Sequence, residues 1–276
     1  MVRDVAVLVS VGRHPASGRP RRADLDARAI ELALGLRDSS AVGAGLKPAP
    51  TVGTDIAIHI IHAGDPAEPA LRDYLGMGIE SLTVIECPAE ADPLPALVEN
   101  LGRLRPGLVL TGAAAEAGPC SGFLPYALAA ALDYVLAPAI VAIEIEGGRA
   151  RLLQALPRGR RRAIEAPLPL VATVDRAAPR PRLAAHGPAR RGRIELLPGA
   201  AEADPWRAAW REQPARPRPK RLRVATGGSA AERLRALAET PAGRGQVLVD
   251  PAPDEAARAI RDYLVAEGIL RPQPAR

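Results

Sequence analysis

Asp55-Ile56-Ala57-Ile58-His59-Ile60-Ile61-His62-Ala63-Gly64 is followed at once by Asp65-Pro66. The run is apolar and β-branched with no clear alternation, which fits a strand buried on both faces, and proline suits the first turn of a helix. The spacing predicts that helix up to Gly76 or Met77. Upstream, Val5 to Val11 reads as another buried strand, ending in the breaker-rich loop Gly12-Arg13-His14-Pro15-Ala16-Ser17-Gly18. From Asp24 the period changes, with Leu25, Ala29, Ile30, Leu32, Ala33 and Leu36 at helical spacing for about three turns. Downstream come a strand at Ser81 to Glu86, a helix at Pro93 to Leu104, a strand at Gly107 to Gly112 and a helix at Gly122 to Leu132. This alternation predicts an α/β fold, a mostly parallel doubly wound sheet with helices on both faces. Further strands are expected at Ala139 to Ile145, Arg149 to Leu156 and Leu168 to Val174, and the Gly147-Gly148 hairpin between the first two adds antiparallel members. The Gly- and Pro-rich stretch 38–54 follows neither period and reads as an insertion.

At 276 residues the chain is long enough for one large domain with an extension, or for two smaller ones. After Asp175 the composition turns to Arg, Ala and Pro until about Arg223, too polar and broken for a core, so a boundary is expected there, dividing 1–175 from 176–276. Within 176–276, Gly245 to Val249 reads as a short strand, and a helix opens at Pro253 with apolar positions Ala256, Ala259, Ile260, Tyr263 and Leu264, ended by Gly268. No apolar run approaches the roughly 20 residues that a membrane-spanning helix needs, and the N-terminus reads as a first strand, not a secretory signal. Two cysteines, Cys87 and Cys120, suit a reducing compartment and make no disulfide framework or metal site. The segment from Arg151 to Arg223 carries 18 basic residues against 6 acidic ones, within a chain whose net charge is +6. It is proline-rich and nearly free of aromatics, which speaks against nucleic-acid recognition and for a protein-docking surface.

A doubly wound sheet binds ligands outside the carboxyl ends of its strands. The loops there are Ser10 to Gly18, Ala63 to Ala67 and Gly112 to Gly122. The last leads into a helix and offers an anion cradle, although it has neither a P-loop lysine nor a dinucleotide fingerprint, so a plain strand-to-helix connection fits equally well. No catalytic constellation stands out. His59 reads as a core histidine, and His14 and His62 fall at strand ends. Cys120 has no partner base. Asp24 and Asp26 read as helix-start residues.

Four segments, in order, resemble the β subunit of electron-transfer flavoprotein, within the adenine-nucleotide-binding α/β fold. Leu25-Asp26-Ala27-Arg28-Ala29-Ile30-Glu31-Leu32-Ala33 is similar to the family's D-E-x-A-[VI]-E-x-A helix, and Ala63-Gly64 through Ala70-Leu71-Arg72-Asp73-Tyr74-Leu75-Gly76-Met77-Gly78 to its G-x6/7-LR-x-A-L-A-M-G-A-D stretch. Arg105-Pro106-Gly107-Leu108-Val109-Leu110-Thr111-Gly112 resembles P-D-L-V-[IL]-x-G, and Pro167-Leu168-Pro169-Leu170-Val171-Ala172-Thr173-Val174-Asp175 resembles L-P-A-V-V-T-V-D. The resemblance implies a non-catalytic subunit that pairs with an α subunit holding most of an FAD, and that carries electrons from a flavoprotein dehydrogenase to a membrane quinone reductase. It implies cofactor contacts at Ser10, Val11, Arg13, Ala63, Gly112, Ser121 and Gly122. The family's AMP loop, D-D-D-x-N-Q-T-G, is here the shorter Glu116-Ala117-Gly118-Pro119-Cys120-Ser121-Gly122, which keeps only a hydroxyl and the glycine, so AMP is a lesser expectation than FAD. The stretch Pro181 to Arg193 aligns with a partner-recognition loop. That implies docking by a mobile basic arm with His186, Arg190, Arg191 and Arg193, followed by a C-terminal arm that wraps the α subunit. The compartment implied is bacterial cytoplasm or the mitochondrial matrix. The competing readings are a nucleotide-binding sensor or universal-stress-type module without flavin and, third, an enzyme acting on an adenylated substrate.

Overall fold

The computed structural model describes residues 4–41, 56–118, 120–199, 203–211, 213–214, 229–231, 247–266 and 270, with the side chains of 39–41, 206 and 266 left aside. It divides into two compact units, 1–211 and 212–276.

The first unit is built on a nine-stranded sheet. Its strands are β1 (Asp4–Leu8), β4 (Ala57–Gly64), β5 (Ser81–Glu86), β6 (Leu108–Gly112), β7 (Val135–Glu146), β8 (Arg149–Ala155), β9 (Arg161–Pro167), β10 (Leu170–Val174) and β11 (Arg193–Leu197). In space they run β11-β5-β4-β1-β6-β10-β7-β8-β9. The pairs from β11 across to β7 are parallel, and β7-β8 and β8-β9 are antiparallel. The expected α/β architecture with added antiparallel strands is therefore present. Gly147 and Gly148 both hold positive φ, 57° and 78°, as a tight hairpin between β7 and β8 requires.

Alternate residues of the strands feed two cores. Val5, Val7, Ile60, Leu82, Val84, Leu108 and Leu110 face the helices α1 (Asp24–Ala41) and α2 (Leu71–Leu75). Ala6, Leu8, Ile61, Ile85, Val109 and Val171 face α3 (Pro93–Leu104) and α4 (Leu124–Leu132). Ile30 and Leu34 of α1 are fully buried, each worth roughly 1.5–3 kcal/mol. Helix α3 is bounded by local chemistry: Asp92 accepts the Leu94 N–H at 2.9 Å, Pro93 opens the first turn, and Arg105 turns left-handed just before Pro106.

Several elements differ from the sequence expectation. Helix α1 continues to Ala41, and residues 42–54 of the expected insertion lie outside the described residues. Helix α2 spans only five residues, because Pro66 and Pro69 lack N–H donors and the Asp65 carboxylate accepts the Ala67 N–H at 2.8 Å, favouring turns. The loop after β1 folds into an antiparallel hairpin of β2 (Val11–Arg13) and β3 (Pro20–Arg22). Strand β9 begins with two arginines and turns only Ile164 and Ala166 toward the core, as an edge strand does.

The stretch after Asp175, expected as a mobile arm, is a strap fastened to the first unit. Ala178 O accepts from Arg28, and Glu31 receives the Arg182 N–H at 3.0 Å and its guanidinium through two oxygens. Burial works to raise the Glu31 carboxyl, and the bonds from Arg182 outweigh it, leaving it below the usual range. Ala185 N–H donates to Gly76 O at 2.8 Å, and Gly76 and Gly192 leave the space that Ala184 and Leu75 fill. Helix α5 (His186–Arg191) follows, and then β11 joins β5 at the sheet edge.

In the second unit a helix runs Pro253–Ala266, as expected, with Ile260 and Tyr263 exposed. Val247 to Val249 are described and form no strand, while Gly245, Gln246 and Gly268 lie outside the described residues.

Gly199, just past β11, lies so close to the Glu86 carbonyl that a methyl group would collide with it. Gly199→Ala is expected to loosen the β11 edge, lowering the melting temperature by roughly 5 °C and speeding amide exchange in β5 and β11. Unchanged exchange there would remove that contact as the seal of the edge.

Candidate functional site

The sheet order reverses at β1: the chain moves outward through β4 and β5, then returns to place β6 on the other side of β1. Such a reversal opens a crevice at the carboxyl ends of the two strands. Ser10 follows β1, Gly112 ends β6, and α1 starts above them.

Asp26, in the first turn of α1, is 4% exposed and joins both strands. Its carboxyl accepts the Ser10 N–H at 2.7 Å, the Ser10 hydroxyl at 2.6 Å and the Gly112 N–H at 3.1 Å. A side chain at position 112 would run into Asp26, so glycine is needed there for close approach. Burial pushes the Asp26 carboxyl up to about 6, the bonds from Ser10 and Gly112 pull it back, and the Glu116 charge adds to the rise.

Tyr74 of α2, fully buried, donates its hydroxyl to Ser10 O and accepts the Ala23 N–H, each at 2.8 Å. It clamps both ends of the β2-β3 hairpin. Burial, and then the nearby Asp26, hold its phenol well above the usual range, so it stays a donor at neutral pH.

Glu116, in the loop after β6, turns back onto α1. One carboxylate oxygen accepts the Asp24 N–H at 2.8 Å and the other accepts Arg21 at 2.6 Å. His62 donates from Nδ1 to Val9 O at 2.8 Å, and burial holds its imidazole below the usual value, hence neutral.

The structure brings Ser10 and Gly112 together through Asp26. Val11 opens β2, beside them in sequence. Arg13 lies on the exposed hairpin and bonds Gly18 O, and Ala63 pairs with Ile85 within the sheet. Ser121 is exposed and accepts the Phe123 N–H at 3.2 Å, whereas Gly122 packs on Ala113 O. His186, Arg190, Arg191 and Arg193 lie apart from the crevice, on the strap. The strap meets the hairpin where Arg22 donates to Arg182 O at 2.9 Å.

Other candidates resolve as structural. His59, expected in the core, is half-buried and bonds Asp4 at 2.8 Å. His14 Nδ1 accepts from the Ala16 and Ser17 N–H groups in the hairpin turn. Asp24, read as a helix-start residue, also pairs with Arg28 at 2.9 Å. Among the described residues no three His, Cys, Asp or Glu side chains are grouped to hold a metal, and no helix is long and apolar enough to cross a membrane. A cavity of about 780 Å³ lies at the opposite end of the strands, lined by Asp4, Arg105, Tyr134 and Pro169, and does not reach the crevice.

Tyr74, Glu116 and Arg21 were not singled out from the sequence. The available signal was Glu116, the sole charged residue between Gly112 and Gly122.

A parallel sheet with an order reversal, and a crevice laced by its own hydrogen bonds, define a doubly wound α/β scaffold. A family profile described as "Electron transfer flavoprotein domain" matches residues 26–202. "Electron transfer flavoprotein subunit beta" of Chromohalobacter salexigens is 48% identical over 273 residues, covering 97% of this chain and 96% of that protein. The chain belongs to the electron-transfer flavoprotein β-subunit family.

Because the folded Asp26 value of about 6 lies above the ordinary 3.8, the folded chain keeps a proton here that the unfolded chain releases across that window. The Asp26 contribution to stability therefore falls as pH rises from 3.8 to about 6. The stability of the wild type relative to Asp26→Asn is expected to drop on the order of 3 kcal/mol across this range, read by urea denaturation. A pH-independent difference would rule out a buried, titrating Asp26.

Proposed function

We propose that this chain is the β subunit of a two-chain electron carrier. It pairs with an α subunit that holds most of an FAD, and it accepts electrons from a flavoprotein dehydrogenase for delivery to a membrane quinone reductase. The observation that carries this reading is the 48% identity, across nearly the whole of both chains, to a protein named as an electron-transfer flavoprotein β subunit.

The site chemistry supports a carrier in preference to an enzyme. Asp26, Tyr74 and Glu116 are each engaged in hydrogen bonds that join separate elements. FAD supplies the redox chemistry when bound, and this chain's part is to position and to dock.

For docking, the strap presents exposed Arg190 and Arg191 at the end of α5, with Arg193 beside them. The Arg72 guanidinium bonds Ala189 O at 3.1 Å and Gly192 O at 3.4 Å, holding that turn to α2. Leu183, 88% exposed between the fixed residues Arg182 and Ala184, offers an apolar anchor within the basic surround. Such a patch speeds encounter with an acidic partner without making the complex long-lived.

Co-expression with an α subunit is expected to yield a yellow heterodimer containing FAD; a colourless, self-associated chain would sink the reading. In that heterodimer, replacing Arg190 and Arg191 by glutamate should slow reduction by the donor dehydrogenase about tenfold at low salt, with flavin content unchanged. Equal rates for wild type and variant would remove the strap from docking.

A further inference from the structure

The N-terminus of α1 needs acceptors for its free N–H groups, and it points at the crevice between the ends of β1 and β6. In folds of this kind an anionic ligand group meets such an end. Here the meeting group belongs to the chain. Glu116, 92 residues away along the sequence, accepts the Asp24 N–H at 2.8 Å. Its second oxygen takes the Arg21 guanidinium at 2.6 Å and lies over Gly12, where a Cβ would sit 2.5 Å from it.

A backbone donor at a helix N-terminus, a guanidinium and a glycine permitting close backbone approach are what a phosphate group requires. All three converge on one internal carboxylate. The layer beneath is engaged as well: Ser10 N–H, Ser10 hydroxyl and Gly112 N–H all donate to Asp26, and Tyr74 joins Ser10 O to the Ala23 N–H. A phosphate entering here would have to displace Glu116, break both of its bonds and lie close to the buried Asp26. The residues of the crevice do not fit AMP.

We propose that Glu116 is a built-in anion standing where a nucleotide phosphate would bind, so that this chain keeps its crevice closed, and its hairpin and α1 in place, without AMP. The inference does not depend on the electron-transfer role, because it concerns what fills the crevice of the full-length chain, with or without a partner.

Two measurements test it. Small molecules extracted from the full-length protein, with whatever chain co-purifies, are identified by mass, which separates AMP from FAD. AMP is expected to be absent, and AMP present in one-to-one ratio would overturn the proposal. Calorimetric titration with AMP and with inorganic phosphate then compares the wild type with Glu116→Ala and Glu116→Ser. The vacated helix end and Arg21 should bind at least one of these anions ten or more times as tightly as the wild type does. Adding Arg21→Ala should abolish the gain. A folded Glu116→Ala or Glu116→Ser protein with no stronger anion binding than the wild type would overturn the proposal. If neither variant folds, the extraction result decides alone.

Discussion

A carboxyl group taken out of water has to be met by donors, and at Asp26 these come from both sides of the point where the strand order reverses. Ser10 at the end of β1 and Gly112 at the end of β6 are held to one side chain on α1. The helix cannot slide along the sheet without stranding those donors, so one buried group sets the register between helix and crevice. Tyr74 extends the constraint to the mouth of the β2-β3 hairpin, and Glu116 ties hairpin, helix and the loop after β6 together. The cost of burying Asp26 appears as its raised proton affinity.

The polar groups of the crevice serve as fasteners, and Arg190 and Arg191 at the end of α5 and Arg193 at the start of β11 are exposed. The strap is anchored on α1 through Glu31 and on α2 through Gly76. A surface held in this way has little conformational freedom left to lose on binding.

The alternation of strands and helices from β1 to β6 was legible because both periods are strong there. Buried parallel strands are continuous apolar runs, and helices α1 and α3 carry their apolar residues at helical spacing. Edge elements were not legible. Strand β9 and the β2-β3 hairpin are rich in arginine and β11 lies in the Arg-, Ala- and Pro-rich stretch after Asp175, so β9 was given no reading, the hairpin read as a loop and β11 as arm, and only pairing with a neighbour makes them strands. Composition likewise suggested a break after Asp175, whereas the strap and β11 belong to the unit that ends at Arg211. Of the crevice, Ser10 and Gly112 were located from their places at strand ends. Asp26 was read as a helix-start residue because nothing in the local pattern reports burial.

By itself, then, the chain's order of apolar runs determined a doubly wound sheet and the place where a crevice must open, since these follow from local periodicity and the rules of parallel connection, while the family showed only in the resemblance of four short segments. What fills that crevice was decided only in three dimensions. Glu116 and Asp24 are 92 positions apart, and Ser10 and Tyr74 are 64 apart. A hydrogen bond across such a separation leaves no periodic trace in sequence, because it depends on where the sheet brings its loops together.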